Sequence, residues 1–432
     1  MTGGSMAPAP RHRARAGRWL RYASAAVVLG LVAGGIGWGA GGLLSRPHQS
    51  GPPSSAGSST DGGASATGAV APDGGGGSAQ GTPTPTARPP TGGTELYGYL
   101  PYWQMNDAVA AYLERVPVST LALFSVTTTS SGGLKHNDIG YARITGARGS
   151  GLIADAHRRG QRVELVYTSF GYRANANLFG DDPKAQRRRA RAARELANLA
   201  AVLGVDGVNV DAELIDGDLG DGYGLFLEDL GSRLRAANPD ATLSVASTAG
   251  AVGASLARAA IAGGVDRVFL MGYDYHWSGS VPGASSPIDN RSGTLDLDWS
   301  IASYVNRGVP RDRIVLGLPL YGMSWPVTGP GRAAEVTGKG STWIPALHTD
   351  VLLAPGFEPA FDQQEIADYF VVQQGSGWVA TYYDSPRSLR PKLELARSQG
   401  LAGAGFWALG YDRGLPGYVE LMNAFRTGRV GG

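Results

Sequence analysis

Three polar side chains alternate with small apolar ones in residues 205–213, Val-Asp-Gly-Val-Asn-Val-Asp-Ala-Glu. Because successive side chains of a β-strand point to opposite faces, Asn209, Asp211 and Glu213 would share one face. Asp211 and Glu213 would then lie one pleat repeat apart, roughly 6.6 Å along the strand. Two carboxylates this close suit acid–base chemistry on one small substrate group, and their interaction should separate their pKa values.

Two other interpretations of these acidic residues are open. They could form a buried polar network that only stabilises the fold, although uncompensated buried carboxylates are costly. They could also belong to a Ca²⁺ or Mg²⁺ loop, but a loop starting at Asp216 would place Gly220 at the fifth position of the EF-hand pattern. The six histidines have no metal-ligand spacing, and the sequence has no cysteine. We therefore expect no metal, no cofactor and no cysteine nucleophile.

The elements that must position these residues alternate between strand and helix patterns over residues 94–428. Eight short apolar runs are separated by amphipathic stretches, and they span residues 96–100, 120–126, 163–168, 207–211, 242–246, 268–271, 314–318 and 403–407. This alternation predicts an α/β fold, a (β/α)8 TIM barrel. The longest gap predicts a small α+β insertion between strands 7 and 8, at approximately 323–385. Glu213 would end its strand, where barrel enzymes place their chemistry.

The N-terminal part of the sequence has a different character. An uncharged run, residues 22–44, follows a basic segment, residues 1–21, that contains five arginines. A helix over this run would be about 35 Å long, enough to cross a hydrocarbon core of about 30 Å. We predict a single transmembrane signal-anchor that leaves 1–21 in the cytoplasm and everything after it outside the cell. The alternative is a cleaved signal peptide, which would make the protein secreted.

Residues 45–93 are rich in Gly, Pro, Ser and Thr and contain no aromatic residue. Such a segment cannot bury a core, so we predict a disordered linker with a root-mean-square span of roughly 40 Å. The formal net charge of +2 divides into an excess of basic residues before position 94 and an excess of acidic residues after it. The predicted barrel is therefore not basic, and we expect no nucleic-acid partner.

The segment around Asn209 resembles the strand-four motif D-x-x-D-x-D-x-E of glycoside hydrolase family 18. Asp206, Asp211 and Glu213 match it, whereas Asn209 stands where most members carry the inner Asp. In this respect the sequence is similar to bacterial spore-cortex-lytic N-acetylglucosaminidases. Further resemblances follow in family order along essentially all of the predicted barrel, at residues 98–103, 169–172, 271–274, 316–322 and 405–412.

The resemblance implies substrate-assisted, retaining hydrolysis of β-1,4-linked N-acetylglucosamine. Glu213 would protonate the leaving glycosidic oxygen and later activate water as a base. The acetamido oxygen of the substrate would attack the anomeric carbon, so that no enzyme carboxylate is the nucleophile. Asp211 would orient the acetamido N–H and stabilise the developing positive charge, and Tyr273 would bind the acetamido oxygen.

The resemblance also implies substrate-binding residues. Trp407 would form an apolar floor under the sugar, while Asp274 and Tyr321 would line the sugar site. The alternatives are a core position for Trp407 and local structural roles for the other two. His276 follows closely along the chain and has two possible roles, a substrate contact or a structural contact.

Tyr99 and Ser169 would both contact Asn209 through hydrogen bonds, again by resemblance. A neutral Asn209 cannot share a proton with Asp211 as an aspartic acid can. We therefore expect the pKa of Asp211 to be set mainly by Glu213.

Together these features predict a monomeric, membrane-tethered extracellular glycosidase that acts on an N-acetylglucosamine-containing polysaccharide, either chitin or peptidoglycan. The main alternative is a catalytically inactive lectin on the same barrel, which would normally lack the general acid. A metal-dependent barrel hydrolase is a more distant alternative.

Overall fold

A computed structural model describes residues 94–430 of the chain. The predicted segments 1–21, 22–44 and 45–93 lie outside these described residues. From residue 94 to residue 430, no helix is both long enough and apolar enough to cross a membrane.

Eight parallel strands close into a barrel, which confirms the predicted fold class. The barrel strands are β1 (Glu95–Pro101), β2 (Thr120–Thr127), β3 (Arg162–Phe170), β4 (Gly207–Glu213), β5 (Thr242–Thr248), β6 (Arg267–Met271), β7 (Ile314–Pro319) and β13 (Gly403–Trp407). Around the barrel, β1 is followed by β13, β7, β6, β5, β4, β3 and β2. The chain therefore runs round the barrel in sequence order, and its last strand closes against its first.

Apart from one short helix in the insertion between β7 and β13, the helices of the described residues surround this barrel or follow its last strand. They are α1 (Asp107–Leu113), α2 (Ile139–Thr145), α3 (Ala147–Arg158), α4 (Tyr172–Phe179), α5 (Pro183–Leu203), α6 (Gly220–Ala237), α7 (Ala251–Ala262), α8 (Leu297–Asn306), α9 (Thr349–Leu352), α10 (Pro386–Ser398) and α11 (Tyr418–Arg426).

The bounds of α5 follow from its sequence. The carboxylate of Asp182 accepts hydrogen bonds from the backbone N–H groups of Lys184 and Ala185, and Pro183 occupies the first turn. The helix ends at Gly204, whose φ of 67° is in the left-handed region that glycine adopts without strain. Alanine and leucine residues cover its buried face, so the arginine-rich remainder faces solvent.

The insertion between β7 and β13 is a five-stranded antiparallel sheet. Its strands are β8 (Gly322–Val327), β9 (Ser341–Trp343), β10 (Ala360–Asp362), β11 (Ala367–Gln374) and β12 (Gly377–Tyr383), in the spatial order β10–β11–β12–β8–β9. Only α9 and one turn of 3₁₀ helix (Pro345–Leu347) lie within it. The buried carboxylates of Asp362 and Glu365 bind the loop between β6 and α8, so the sheet is fastened to the rim of the barrel.

Aromatic side chains fill the middle of the barrel. The ring of Phe269 packs against both Tyr97 and Tyr99, with ring centroids 5.6 and 4.9 Å away. Two glycines give it room, since a Cβ at Gly317 or Gly405 would lie 2.3 or 2.6 Å from the Phe269 ring. The barrel is thus packed below the site, as in other barrels of this class.

Candidate active site

Strand β4 presents its polar side chains to the inside of the barrel. Asn209, Asp211 and Glu213 are all buried, at 0%, 4% and 4% relative exposure. The register with β3 pairs Asp211 with Thr168 and Glu213 with Phe170, so these four side chains face inwards near the carboxyl end of the strands. The two carboxylates therefore lie in successive inward layers, as the alternating sequence predicted.

Each of these carboxylates keeps one oxygen free. Among residues 94–430, Oδ1 of Asp211 and Oε1 of Glu213 are buried and have no hydrogen-bond partner. Burial raises the pKa of Asp211 to about 7. Burial, together with the charges of Asp211 and Asp274, raises the pKa of Glu213 well above its usual value. The two interacting carboxyl groups therefore hold their protons to higher pH than ordinary carboxyl groups do, and the charge of Asp211 favours the protonated form of Glu213.

The expectation that Glu213 mainly sets the pKa of Asp211 is wrong. The largest effect on the pKa of Asp211 is the removal of this group from water at the bottom of the site, and the charge of Asp211 in turn helps to raise the pKa of Glu213. The physical reason is the depth of Asp211 on β4, one layer further into the barrel than Glu213, where the charged form loses its hydration.

The loop after β6 places two further residues beside the carboxylates. Burial raises the pKa of Tyr273 well above its usual value, and the neighbouring charges of Asp211, Asp274 and Glu213 add to this shift. Asp274 has a φ of 63°, a strained conformation for a residue other than glycine, and its backbone N–H donates to Oγ of Ser285. This backbone turn directs Asp274 towards the site.

Tyr321, just after β7, completes this side. Its hydroxyl donates a hydrogen bond to Oδ1 of Asp274, and its ring lies 6.1 Å from that of Tyr273, edge to face. Burial raises the pKa of Asp274 to about 7. Tyr273, Asp274 and Tyr321 therefore form one continuous wall next to Glu213.

Trp407, the last residue of β13, packs among aromatic rings. Its ring centroid lies 4.7 Å from Phe124, 5.6 Å from Tyr99 and 6.4 Å from Trp103. Its indole N–H is buried and meets no acceptor within the part of the chain that the structure describes. A fully core tryptophan would normally find such an acceptor. Trp407 thus combines an apolar surface with an unused hydrogen-bond donor.

Asn209 lies beneath this site and contacts two hydroxyl groups. The Tyr99 hydroxyl donates to Oδ1 of Asn209 at 3.1 Å, in agreement with the sequence expectation. The Asn209 Nδ2 donates to Oγ of Ser244 on β5 at 2.7 Å.

The prediction for Ser169 is wrong, because Ser169 contacts Asn175 and not Asn209. Ser169 is in register with Ala212, so strand alternation turns both side chains outwards. There Oγ of Ser169 donates to Oδ1 of Asn175 in α4 at 2.7 Å.

His276 has a structural contact. Its Nε2 lies 3.2 Å from Oε1 of Glu365 in the insertion, its Nδ1 lies 2.9 Å from the carbonyl of Val281, and it is 1% exposed. The proximity to Tyr273 along the chain suggested a substrate contact, but the backbone turns after Asp274 and directs His276 into the interface with the insertion.

Sequence reasoning missed one side of the cleft. A cavity of about 860 Å³ opens above the carboxyl ends of β2 and β3, and Thr168 and Phe170 connect it to the carboxylates. Its outer part is polar, with Thr127–Ser130, Lys135, Asp138, Arg173 and Asn177. These are loop residues after barrel strands, and their position at the strand ends was the one available signal. Within residues 94–430, no group of three or more His, Cys, Asp or Glu side chains is arranged to hold a metal ion.

Comparison with known proteins agrees with this geometry. The chain matches a class V chitinase of Lotus japonicus at 30% identity over 152 residues, which cover 33% of this chain and 37% of that protein. The match thus spans little more than a third of the curated relative. Among solved structures, the spore cortex-lytic enzyme SleL of Bacillus cereus has a TM-score of 0.62 at 18% identity, covering 78% of this chain and 74% of that one.

A chitinase-like agglutinin of Robinia pseudoacacia has a TM-score of 0.63 at 19% identity, covering 77% of this chain and 99% of that one. At these identities the two structures show the fold alone. The sequence model of glycosyl hydrolases family 18 matches residues 96–412, most of the chain. Together with the closed barrel and the acidic strand β4, this match shows that the chain belongs to glycosyl hydrolases family 18.

Proposed function

We propose that this protein is a glycosidase that cleaves β-1,4-linked N-acetylglucosamine polymers by substrate-assisted, retaining catalysis. One observation carries the proposal. Among the described residues, Oδ1 of Asp211, Oε1 of Glu213 and the indole N–H of Trp407 are all buried and unpaired. Unpaired buried polar atoms are costly, and three belonging to one site suggest that a ligand completes them.

Glu213 is the general acid. Its raised pKa favours the protonated form, so the group can protonate the leaving glycosidic oxygen. After the bond breaks, the same carboxylate accepts a proton from water, and the hydroxide formed attacks the anomeric carbon.

Asp211 acts on the acetamido group of the same sugar. Its free Oδ1 is an acceptor for the acetamido N–H, which turns the acetamido oxygen towards the anomeric carbon. In its ionised form, Asp211 places a negative charge beside the sugar, and this charge stabilises the cyclic oxazolinium intermediate. The Tyr273 hydroxyl, kept protonated by burial, donates to the acetamido oxygen.

The remaining residues hold the sugar. The Trp407 ring supports its apolar face, and the Trp407 N–H provides one donor from below. Asp274, fixed by the Tyr321 hydroxyl, offers its other carboxylate oxygen to sugar hydroxyl groups. No step needs a metal or a cofactor, so we expect that chelators leave the activity unchanged.

The acetamido participation can be tested directly. We expect the protein to cleave N-acetylated chitooligosaccharides and not their fully de-N-acetylated counterparts, and the first-formed product should have the β configuration by NMR. Equal cleavage of both substrates, or an α product, would contradict substrate assistance. Binding of both substrates without cleavage of either would favour the inactive lectin, which the presence of Glu213 argues against.

We further propose that the barrel is tethered outside the cell by the uncharged run 22–44, with residues 45–93 as the spacer. The support is the arginine cluster before this run and the composition of the spacer. Such a tether favours wall glycan strands near the membrane over distant chitin. Recovery of the full chain from the membrane after an alkaline wash is expected, whereas recovery from the medium of a form that lacks the N-terminal segment would support a cleaved signal peptide.

A further inference from the structure

A buried carboxyl group that the proposed mechanism does not use lies one layer beneath the catalytic residues. Glu164, on β3, points into the barrel and is 3% exposed. It accepts hydrogen bonds from the hydroxyl groups of Tyr97 at 2.6 Å, Thr242 at 2.7 Å and Ser244. Burial raises the pKa of the Glu164 carboxyl group, while the hydrogen bonds from these three hydroxyl groups oppose this shift and favour the ionised, accepting form.

The sequence makes room for this contact. Glu164 is in register with Gly207 on β4, and Gly207 is in register with Thr242 on β5. A Cβ at Gly207 would lie 2.3 Å from Oγ1 of Thr242. Because position 207 has no side chain, the Glu164 carboxyl reaches across β4 to the hydroxyl groups of Thr242 and Ser244 on β5.

The direction of the hydrogen bonds follows from this acceptor. A serine hydroxyl has one proton, and Ser244 donates it to Glu164. Ser244 can therefore only accept from Asn209, and so the Nδ2 of Asn209 must face it. This leaves the Oδ1 of Asn209 facing the Tyr99 hydroxyl, which donates to it.

We propose that Glu164 is a positioning residue for the hydrolytic reaction, which acts through Ser244 and Asn209 to hold Tyr99 beneath the active site. The inference rests on the proposed function. The Tyr99 ring packs against Trp407, with centroids 5.6 Å apart, and Tyr99 is close enough to Asp211 for the charge of that carboxyl to contribute to its raised pKa.

The same relationship accounts for the amide at position 209. An aspartate there would present an acceptor to Ser244, whose only proton is held by Glu164. Two carboxylates would compete for one hydroxyl proton. In an E164Q variant the new amide can donate to Ser244, which is then free to donate to an aspartate at position 209. Only one of positions 164 and 209 can therefore carry an acidic residue, and in this chain it is position 164.

A double-mutant cycle tests this coupling. Wild type, E164Q, N209D and E164Q/N209D are compared in the full chain on an N-acetylated chitooligosaccharide, with kcat and KM measured across pH. We expect N209D to lower kcat roughly 10- to 100-fold in the wild-type background, because a small displacement at the reacting centre has effects of this size. In the E164Q background the same substitution should lower kcat less than about threefold, with KM little changed.

Asp412 provides the matched control background. It is a buried carboxyl at 1% exposure that accepts from the Tyr112 hydroxyl and has no contact with Ser244 or Asn209. N209D should lower kcat by the same factor in a D412N background as in the wild-type background. Urea unfolding of each variant separates a loss of stability from a loss of positioning.

The outcomes are distinct. If N209D lowers kcat equally in the wild-type and E164Q backgrounds, Glu164 does not act through position 209 and the inference is wrong, while the glycosidase activity stands. If wild type releases no reducing ends, both proposals fall. If N209D does not fold, Ser244→Ala interrupts the same series of hydrogen bonds. Its kcat should fall about tenfold, and Ser244→Thr should restore it. Unchanged kcat in Ser244→Ala would overturn the inference.

Discussion

The hydroxyl of Tyr321 donates a hydrogen bond to Asp274, and this contact fixes a second acidic group beside the candidate general acid. The charge of Asp274 is one of the causes that raise the pKa of Glu213. The wall formed by the loop after β6 and the end of β7 therefore helps to keep Glu213 protonated.

Replacing Asp274 with Asn should move the alkaline limb of the kcat/KM profile to lower pH. With the pKa of Asp274 raised to about 7, the group is charged on the alkaline side, where it opposes loss of the Glu213 proton. Removing that charge lets Glu213 ionise earlier, by roughly one pH unit. D412N is the control, because Asp412 is also buried but is not among the groups that shift the pKa of Glu213. The alkaline limb of the D412N profile should therefore not move.

Replacing Asp211 with Asn should lower activity and raise stability. The pKa of Asp211 is raised to about 7, so the folded protein binds this proton more tightly than the unfolded chain. Ionised Asp211 therefore destabilises the fold increasingly as pH rises from about 4 to 7, and the Asn variant avoids this penalty. We expect a gain of about 1–3 kcal/mol in the free energy of unfolding at pH 8, with kcat at least about 100-fold lower. A variant that is less stable at pH 8 would show that Asp211 has a stabilising partner.

Replacing Trp407 with Phe should weaken binding of chitooligosaccharides several-fold with little change in unfolding. The substitution keeps an aromatic ring against Phe124 and removes only the unpaired N–H and part of the surface. Trp343→Phe, in the insertion and stacked at 4.8 Å on His348, is the matched control and should bind normally. Calorimetric titration measures both, and equal affinities of the two variants would place Trp407 in the core alone.

The His276–Glu365 contact should make the stability of the insertion pH-dependent. Burial lowers the pKa of His276, but the neighbouring Glu365 together with the contacts to Val281 and Asn290 outweighs this effect, so the net shift is upwards. Burial raises the pKa of Glu365, but His276 and the backbone N–H groups of Ala284 and Arg291 together outweigh this effect, so the net shift is downwards. The contact between His276 and Glu365 therefore stabilises the fold fully at a pH below the ordinary histidine pKa and above the ordinary glutamate pKa.

The stabilisation from the His276–Glu365 contact is lost as pH rises through the raised pKa of His276. Arg291 and Asn290 are the neighbouring groups on the same loop. Urea unfolding of wild type and His276→Gln should differ most near pH 6 and converge near pH 9. A difference that grows with pH would contradict this assignment.

The alternating pattern of β4 was sufficient to predict which side chains face the interior, because strand periodicity is local. The same rule, applied to β3, would have excluded Ser169 from the interior and identified Glu164, since residues 164, 166, 168 and 170 share one face. Which neighbours these residues contact could not be predicted, because it depends on the register between strands. The contact of His276 with Glu365 depends on how the insertion packs, and residues 89 positions apart carry no local signal of it.

The most direct test of the central claim is the release of reducing ends from chitin and from peptidoglycan glycan strands by the full chain, wild type against Glu213→Gln. Gln keeps the size of the side chain and can donate a hydrogen bond, but it cannot transfer a proton. We predict release by wild type from at least one polymer, and a rate roughly 10²- to 10⁴-fold lower for Glu213→Gln with glycan binding retained. No release by wild type from either polymer, or full activity in the variant, would contradict the account.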